Sequence, residues 1–78
     1  MSIEVRLYAV LRRWAPGNPG GVLTVDLPDG GTCLDLLGKV GINPTEVHVL
    51  MVNGVNSPLE KVLHDGDRVG LFPAVGGG

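Results

Sequence analysis

The chain has 78 residues, and 44% of them are hydrophobic, which is enough for one domain with one small core. Its formal charge of −2 and its six scattered basic residues exclude the basic surface that nucleic-acid binding needs, so we expect no nucleic-acid partner. A single cysteine, Cys33, excludes an internal disulfide and a metal site built only from cysteines.

Two strands are predicted in the first third of the chain. From Ser2 to Ala9 apolar residues alternate with polar ones, which is the period of a half-buried strand, and Ala9 is counted among the inward residues. Residues 11–15 are too few for a stable helix and are interpreted as a single turn. Residues 16–21 form a connection rich in proline and glycine, and the alternation over residues 23–27 predicts the second strand.

One helix is predicted to begin after Thr32. Thr32 is the N-cap, and Asp35 three residues later is its capping partner, while Gly41 supplies a left-handed stop. The apolar stripe of this helix is formed by Leu34, Leu37 and Val40, with Cys33 and Leu36 beside it. A helix of about two turns is too short to be stable alone, so packing must hold it.

The strongest strand pattern covers residues 47–53. Leu50 and Val52 are expected to face the helix. Val49 and Met51 then form an apolar strip on the open side of the sheet.

Turns and one edge segment connect this strand to the last one. Asn53-Gly54 is typical of a hairpin turn. Residues 57–59 are interpreted as a short edge segment, where proline is tolerated, and residues 60–64 as a turn or a short 3₁₀ stretch. Residues 64–67 then make a tight turn into a last strand over residues 68–72.

The order of strand, strand, helix, strand, short segment and strand predicts an α+β fold. We expect a ubiquitin-like β-grasp roll, with a mixed sheet of four to five strands packed on one main helix. The first and last strands are expected to lie side by side in the centre of the sheet. Residues 1–72 form the domain in this interpretation, and residues 73–78 form a flexible C-terminal glycine tail.

The last seven residues printed are Phe72-Pro73-Ala74-Val75-Gly76-Gly77-Gly78. Three successive glycines neither pack nor hold a strand, and they cost the most backbone entropy to order. From Pro73 onward an extended chain spans at most about 20 Å, which is enough to enter a deep pocket. The pattern predicts a presented carboxylate, and the alternative is a frayed end or a cloning remnant.

Three segments carry a family resemblance, namely Val52-Asn53-Gly54, residues 63–69 and residues 72–78. With them the chain resembles the MoaD/ThiS family of sulfur carriers over essentially its whole length. It is most similar to the type found as the small subunit of molybdopterin synthase. Two positions depart from that type, because Ala74 stands where a second proline is frequent and Gly76 where alanine is common.

The resemblance implies a function for the tail. The carboxylate of Gly78 would be adenylylated and then converted to a thiocarboxylate that donates sulfur in molybdopterin (molybdenum or tungsten cofactor) biosynthesis. Pro73, Val75, Gly76 and Gly77 would deliver it. The implied partners are an adenylating activating enzyme, a sulfur-donating enzyme and the large subunit of molybdopterin synthase. The chain would be a non-catalytic small subunit that binds no cofactor, and the partner enzyme would use the ATP.

Other functions remain open at this stage. One is a ubiquitin-like protein modifier that is conjugated to lysine through Gly78. Another is a sulfur carrier for thiamin or a different sulfur-containing product. A third is a binding or regulatory β-grasp domain with an inert tail.

Val49, Met51 and Phe72 are predicted to form an apolar partner-binding patch beside the root of the tail. Exposed apolar clusters on small domains usually mark binding sites, and methionine suits a surface that meets more than one partner. The alternative is that a loop, such as the one carrying Trp14, covers these three residues.

Weaker signals have simple interpretations. Cys33 lies near a helix N-terminus, where a thiolate would be stabilised, but a small buried core residue is the favoured interpretation. His48 and His64 lack the spacing of metal ligands, so no metal is expected. Gly30-Gly31 before the helix suggests either an anion site or only the approach to the cap. The absence of a leader and of a long apolar segment predicts a cytoplasmic protein without a membrane partner.

Overall fold

The computed structural model describes residues 1–18 and 20–74 of the chain. The strands are β1 (Ser2–Leu7), β2 (Val22–Asp26), β3 (Val47–Val52), β4 (Val55–Asn56) and β5 (Arg68–Pro73). The α-helix, α1, is Cys33–Val40, and two short 3₁₀ helices cover Ala9–Trp14 and Pro44–Glu46.

The five strands form one mixed sheet in the order β2-β1-β5-β3-β4. β1 and β5 pair in parallel, with Val5 opposite Val69, and the other three pairs are antiparallel. The first and last strands therefore lie side by side in the centre of the sheet, as predicted. This architecture confirms the predicted α+β class and the β-grasp arrangement.

The core lies between α1 and one face of the sheet. Ile3 and Val5 of β1 and Val69 of β5 are fully buried, and Leu50 and Val52 of β3 face the helix as predicted. Full burial of one such aliphatic side chain contributes about 1.5–3 kcal/mol relative to exposure. This layer fixes the central strands, and through them it fixes the place where the chain leaves the sheet after β5.

The ends of α1 follow local signals. The backbone N–H of Thr32 donates to Asp35 Oδ2 at 2.9 Å, and the backbone N–H of Asp35 donates to Thr32 Oγ1 at 3.3 Å, so the predicted capping box is present. Gly41 ends the helix at a φ of 95°, a left-handed conformation that glycine adopts without a Cβ clash.

The prediction that Leu34 belongs to the buried stripe is wrong, because this side chain is 47% exposed. The buried face consists of Cys33, Leu36 and Leu37, with Val40 half-buried beside them. At about 100° per residue, Leu34 is rotated a quarter-turn away from Cys33 and out of the helix–sheet contact.

The inward placement of Ala9 is also wrong. β1 ends at Leu7, and Ala9 is exposed and begins the first 3₁₀ helix with a φ of 52°. This left-handed residue turns the chain off the sheet, so the period of two stops there. The single turn predicted for residues 11–15 overlaps this 3₁₀ helix, which ends at Trp14.

The predicted edge segment at residues 57–59 is displaced, because the edge strand is Val55–Asn56. Asn53 and Gly54 adopt φ values of 51° and 81°, as in a two-residue hairpin turn, so the next two residues return directly opposite Met51 and Val52. Residues 60–64 form a turn and an isolated bridge in place of a 3₁₀ helix.

A polar network joins the hairpin turn to the turn before β5. Asn53 Nδ2 donates to Asp67 Oδ1 at 3.0 Å, and Asn53 Oδ1 accepts the backbone N–H of Arg68 at 3.0 Å. The backbone N–H of His64 donates to Asp67 Oδ2 at 2.8 Å. The hydrogen bonds to Asp67 hold the pKa of its carboxyl group below the ordinary value, and the bond from Asn53 has the largest effect.

Acid is expected to weaken the fold in part through Asp67. Because its pKa in the folded chain lies below the ordinary value of 3.8, the carboxylate stabilises the fold at neutral pH. This contribution is lost as the pH falls below 3.8 and through the lower folded pKa. Asp67→Asn should therefore reduce the free energy of unfolding at neutral pH and flatten its decline in acid. Urea unfolding of both chains at stepped pH measures this, and equal acid slopes would refute the assignment.

Candidate functional site

The chain leaves the sheet from its central region. β5 extends to Pro73, one residue beyond the predicted strand end, and Pro73 pairs with Val47 of β3. The register between β3 and β5 shifts between Val47 and Val49. Proline lacks an N–H donor, and strand ends and irregular pairings of this kind are where a sheet tolerates it.

The predicted reacting residue and most of the predicted tail lie outside the described residues. These are Val75, Gly76, Gly77 and Gly78. The roles given to them stay predictions. What the structure describes is the root from which they continue, at Pro73 and Ala74.

Val49, Met51 and Phe72 come together on the open face of the sheet, as predicted. All three are half-buried, and they line one apolar groove of about 640 Å³ beside the end of β5. We call this the tail-root groove, and its described lining is Tyr8, Ala9, Val10, His48, Val49, Met51, Phe72, Pro73 and Ala74. Its surface is suited to apolar side chains of a partner.

Two stacked aromatic side chains, Tyr8 and Phe72, line the groove on the open face of the sheet. The rings of Tyr8 and Phe72 are stacked, with centroids 4.2 Å apart and planes inclined by 6°. Both rings lie beside Gly70, where a Cβ would be in ordinary contact with Phe72 Cε1 at 3.4 Å and Tyr8 Cε2 at 3.6 Å. Such a pair contributes about 0.5–1.5 kcal/mol beyond its buried area, so Phe72 is held in place at the groove.

Sequence reasoning missed four members of the groove, namely Tyr8, Ala9, Val10 and His48. Tyr8 was placed on the polar face of β1 without a role, although an aromatic residue at an outward strand position is a signal for a contact surface. Val10 is 62% exposed and lines the groove, next to the left-handed residue Ala9 at which the chain leaves the sheet.

The alternative in which the loop of Trp14 covers the groove is wrong. Trp14 lies on the helix side of the sheet, where a Cβ on Gly41 would be 3.6 Å from Trp14 Cζ3. It packs against the core there, together with Leu23 and Val40. Within the described chain, the tail-root groove is therefore open to a partner.

Cys33 is a core residue. It is fully buried, and burial raises the pKa of its thiol to about 11, so the thiolate hypothesis is wrong. The helix N-terminus beside it is also occupied. The backbone N–H groups of Cys33 and Leu34 donate to the carbonyl oxygens of Lys61 at 3.0 Å and Leu59 at 2.9 Å. The anion site considered at Gly30-Gly31 therefore lacks the free donors that it would need.

Two further observations concern only residues 1–18 and 20–74. They contain no group of three or more histidine, cysteine, aspartate or glutamate side chains placed to hold a metal ion. None of the helices among them is long and apolar enough to cross a membrane.

A five-stranded mixed sheet with one α-helix and parallel central strands defines a ubiquitin-like β-grasp protein. The model of the ThiS family matches residues 5–78, and the chain belongs to this family. The resemblance to the MoaD/ThiS proteins is thereby confirmed. No match to the chain was found among curated proteins.

Solved structures give the same fold. SAMP1 from Haloferax volcanii is 26% identical over 100% of both chains, with a TM-score of 0.75. A putative molybdopterin converting factor subunit 1 from Pyrococcus furiosus is 26% identical over 96% of this chain and 99% of its own, with a TM-score of 0.74. A complex of subunits 1 and 2 of the molybdopterin-converting factor from Helicobacter pylori matches at 22% identity over 100% of both chains, with a TM-score of 0.60, and shows the fold alone.

Proposed function

We propose that the chain is a sulfur carrier whose Gly78 carboxylate is adenylylated and then converted to a thiocarboxylate that donates sulfur in molybdopterin biosynthesis. The observation that carries this proposal is the match to the ThiS family, which extends through the glycines to residue 78. The tail-root groove supports it, because it offers an apolar contact surface where the tail begins.

The chemistry requires activation because a carboxylate is a poor acylating group. In the proposed sequence an oxygen of the Gly78 carboxylate attacks the α-phosphorus of ATP, and pyrophosphate leaves. A sulfur nucleophile at the oxidation level of sulfide then attacks the carbonyl carbon of the acyl adenylate, and AMP leaves. The ATP site and the catalytic groups are assigned to the activating enzyme, and the sulfur to a sulfur-donating enzyme.

In this proposal the tail carries the reacting carboxylate into the partner, and the sheet supplies the surface that binds the partner. Pro73 is part of β5 and pairs with Val47, so the part that enters a partner starts at Ala74. Five extended residues span at most about 18 Å, and the glycines fit a channel that side chains would block. The groove beside Pro73 then selects the protein that receives the tail.

A large subunit is the proposed acceptor-side partner. The Helicobacter pylori structure is a complex of subunits 1 and 2 of its molybdopterin-converting factor. We propose that an equivalent large subunit, and at another step the activating enzyme, each bind this chain through the tail-root groove.

An acidic residue in the groove is expected to weaken partner binding without unfolding the chain. Met51→Asp or Phe72→Asp would place a carboxylate against a partner's apolar side chains, at positions that are only half-buried. We expect the Kd for the activating enzyme to rise at least about tenfold, which corresponds to about 1.4 kcal/mol. Calorimetric titration measures this change, and thermal unfolding checks the fold.

Val55→Asp is the matched control, because Val55 is 65% exposed on β4 and is not part of the groove. It introduces the same charge on the same sheet. If Met51→Asp and Val55→Asp bind equally well, the groove is not the contact surface.

A second candidate function has an observation in its favour. SAMP1 of Haloferax volcanii is a small archaeal modifier protein, and one of its structures is as similar to this chain as the Pyrococcus protein is. As a modifier, this chain would form an isopeptide bond between the Gly78 carboxyl group and a lysine amine.

Incubation with ATP, the activating enzyme and a sulfur donor distinguishes these functions. A carrier gains the mass difference between sulfur and oxygen. A modifier forms larger conjugates that survive denaturation, and an inert domain shows neither change. Affinity capture of the partner protein assigns the pathway. Capture of a molybdopterin synthase large subunit supports the proposal, whereas capture of a thiazole synthase would assign the chain to thiamin biosynthesis.

A further inference from the structure

A second depression lies on the open face of the sheet, on the other side of the Tyr8–Phe72 stack. It has a volume of about 280 Å³ and shares Tyr8, Met51 and Phe72 with the tail-root groove. Among its described lining residues the charged ones are Arg6 of β1 and Arg68 of β5. We call it the cationic depression.

The sheet register creates this depression. Arg6 lies opposite Gly70 in the parallel β1–β5 pair, and Arg68 precedes Gly70 by two residues on the same face. Gly70 lines the depression without a side chain, and the rings of Tyr8 and Phe72 lie beside it.

The positive charge of the depression is only partly neutralised. Glu4 Oε2 accepts a hydrogen bond from Arg6 Nε at 2.9 Å, and Glu4 also lies opposite Arg68 in the β1–β5 pair, so one carboxylate lies beside two guanidinium groups. Arg68 forms no ion pair with any residue that the structure describes. The carboxylate of the neighbouring Asp67 is engaged by Asn53 and His64 and does not line the depression.

We propose that the cationic depression binds a carboxylate side chain of the protein that activates the tail, while an apolar side chain of the same protein fills the tail-root groove. This inference rests on the proposed function and adds the chemistry of the partner's contact surface. A planar guanidinium binds a carboxylate through two parallel hydrogen bonds, which fixes orientation as well as position.

The charged contact and the apolar contact proposed here lie toward opposite ends of β5. Arg68 and Pro73 are the two ends of β5, about 16 Å apart at the rise of an extended strand. A charged contact at one end and an apolar contact at the other fix the direction of β5 on the partner. The tail then enters the partner's pocket from a defined angle.

The occupant is a protein carboxylate and not a nucleic-acid phosphate. Two arginines on a chain of net charge −2 do not form the extended basic footprint that a phosphate backbone requires. One or two acidic side chains beside an apolar surface match both parts of this face.

Charge reversal at Arg68 tests the proposal. In steady-state adenylylation of the full chain by its activating enzyme, Arg68→Glu is expected to raise the KM for the chain about tenfold at low salt, with kcat within about twofold of the unsubstituted value. Added salt should narrow the difference, because it screens an exposed charge pair. Arg68→Gln should give a smaller rise, and it serves in place of Arg68→Glu if that chain does not fold.

Lys39→Glu is the control, since it makes the same change in net charge on α1, on the other side of the sheet. If Arg68→Glu and Lys39→Glu have the same KM while the unsubstituted chain is adenylylated, this inference is overturned and the proposed activation of the tail stands. If the unsubstituted chain is not adenylylated at all, both are overturned.

Discussion

A chain that lacks Gly78, or that carries one alanine after it, is expected to gain neither AMP nor sulfur in the presence of ATP, the activating enzyme and a sulfur donor. One added or removed residue moves the terminal carboxylate by about 3.5 Å in an extended tail. A misplacement of about 1 Å at a reacting centre can cost about 10²-fold in rate, so a loss of at least this size is expected. Intact mass recorded over time measures the rate.

The control for this experiment is one extra glycine placed after Gly17. This residue is exposed in the turn before β2, so the insertion adds one residue to the chain and leaves the tail unchanged. The inserted chain should be adenylylated at the unsubstituted rate. The two Gly78 variants should unfold at the same temperature as the unsubstituted chain, since residue 78 follows the described residues, and thermal unfolding checks that the inserted chain is folded. Normal adenylylation of either Gly78 variant would contradict the assignment of the reacting group.

Leu71→Ala is expected to lower the free energy of unfolding by about 2–5 kcal/mol. Leu71 is fully buried on the central strand β5 and lies opposite Leu7 of β1 and Leu50 of β3. A chain of this size has a total stability of only about 4–12 kcal/mol, so the cavity would remove a large fraction of it. Urea denaturation at pH 7 measures the change.

Val55→Ala is the comparison for Leu71→Ala, because Val55 is 65% exposed. It should change the free energy of unfolding by no more than about 0.5 kcal/mol. Losses of similar size at both positions would show that β5 is not the central support of the tail root.

Much of the fold follows from local patterns. The period of two placed Val5, Val69 and Leu50 correctly, because β1, β5 and β3 each bury one face against α1. Thr32 and Gly41 marked the ends of the helix, because caps depend on the residues at the ends themselves.

The features that escaped prediction depend on contacts between distant residues or on backbone angles. Tyr8 and Phe72 stack only because β1 and β5 are neighbours, and the pairing of Arg6 with Gly70 has the same cause. Ala9 broke its strand pattern through a positive φ that alanine seldom adopts.

Part of the candidate site was predicted from local sequence patterns, and part was implied only by the family resemblance. The groove residues Val49, Met51 and Phe72 were predicted from alternation and position, and the structure brings them together. The role of Gly78 was drawn from a family resemblance, because the residues before it in sequence, Val75, Gly76 and Gly77, have no reactive side chains. It stays a prediction until the terminus is assayed.

The most direct test is fragmentation mass spectrometry of the full chain after incubation with ATP, the activating enzyme and a sulfur donor. We predict that sulfur replaces one oxygen and that the change is confined to the C-terminal fragment that contains Gly78. An unchanged mass, or sulfur added at Cys33 and not at the terminus, would contradict the sulfur-carrier function.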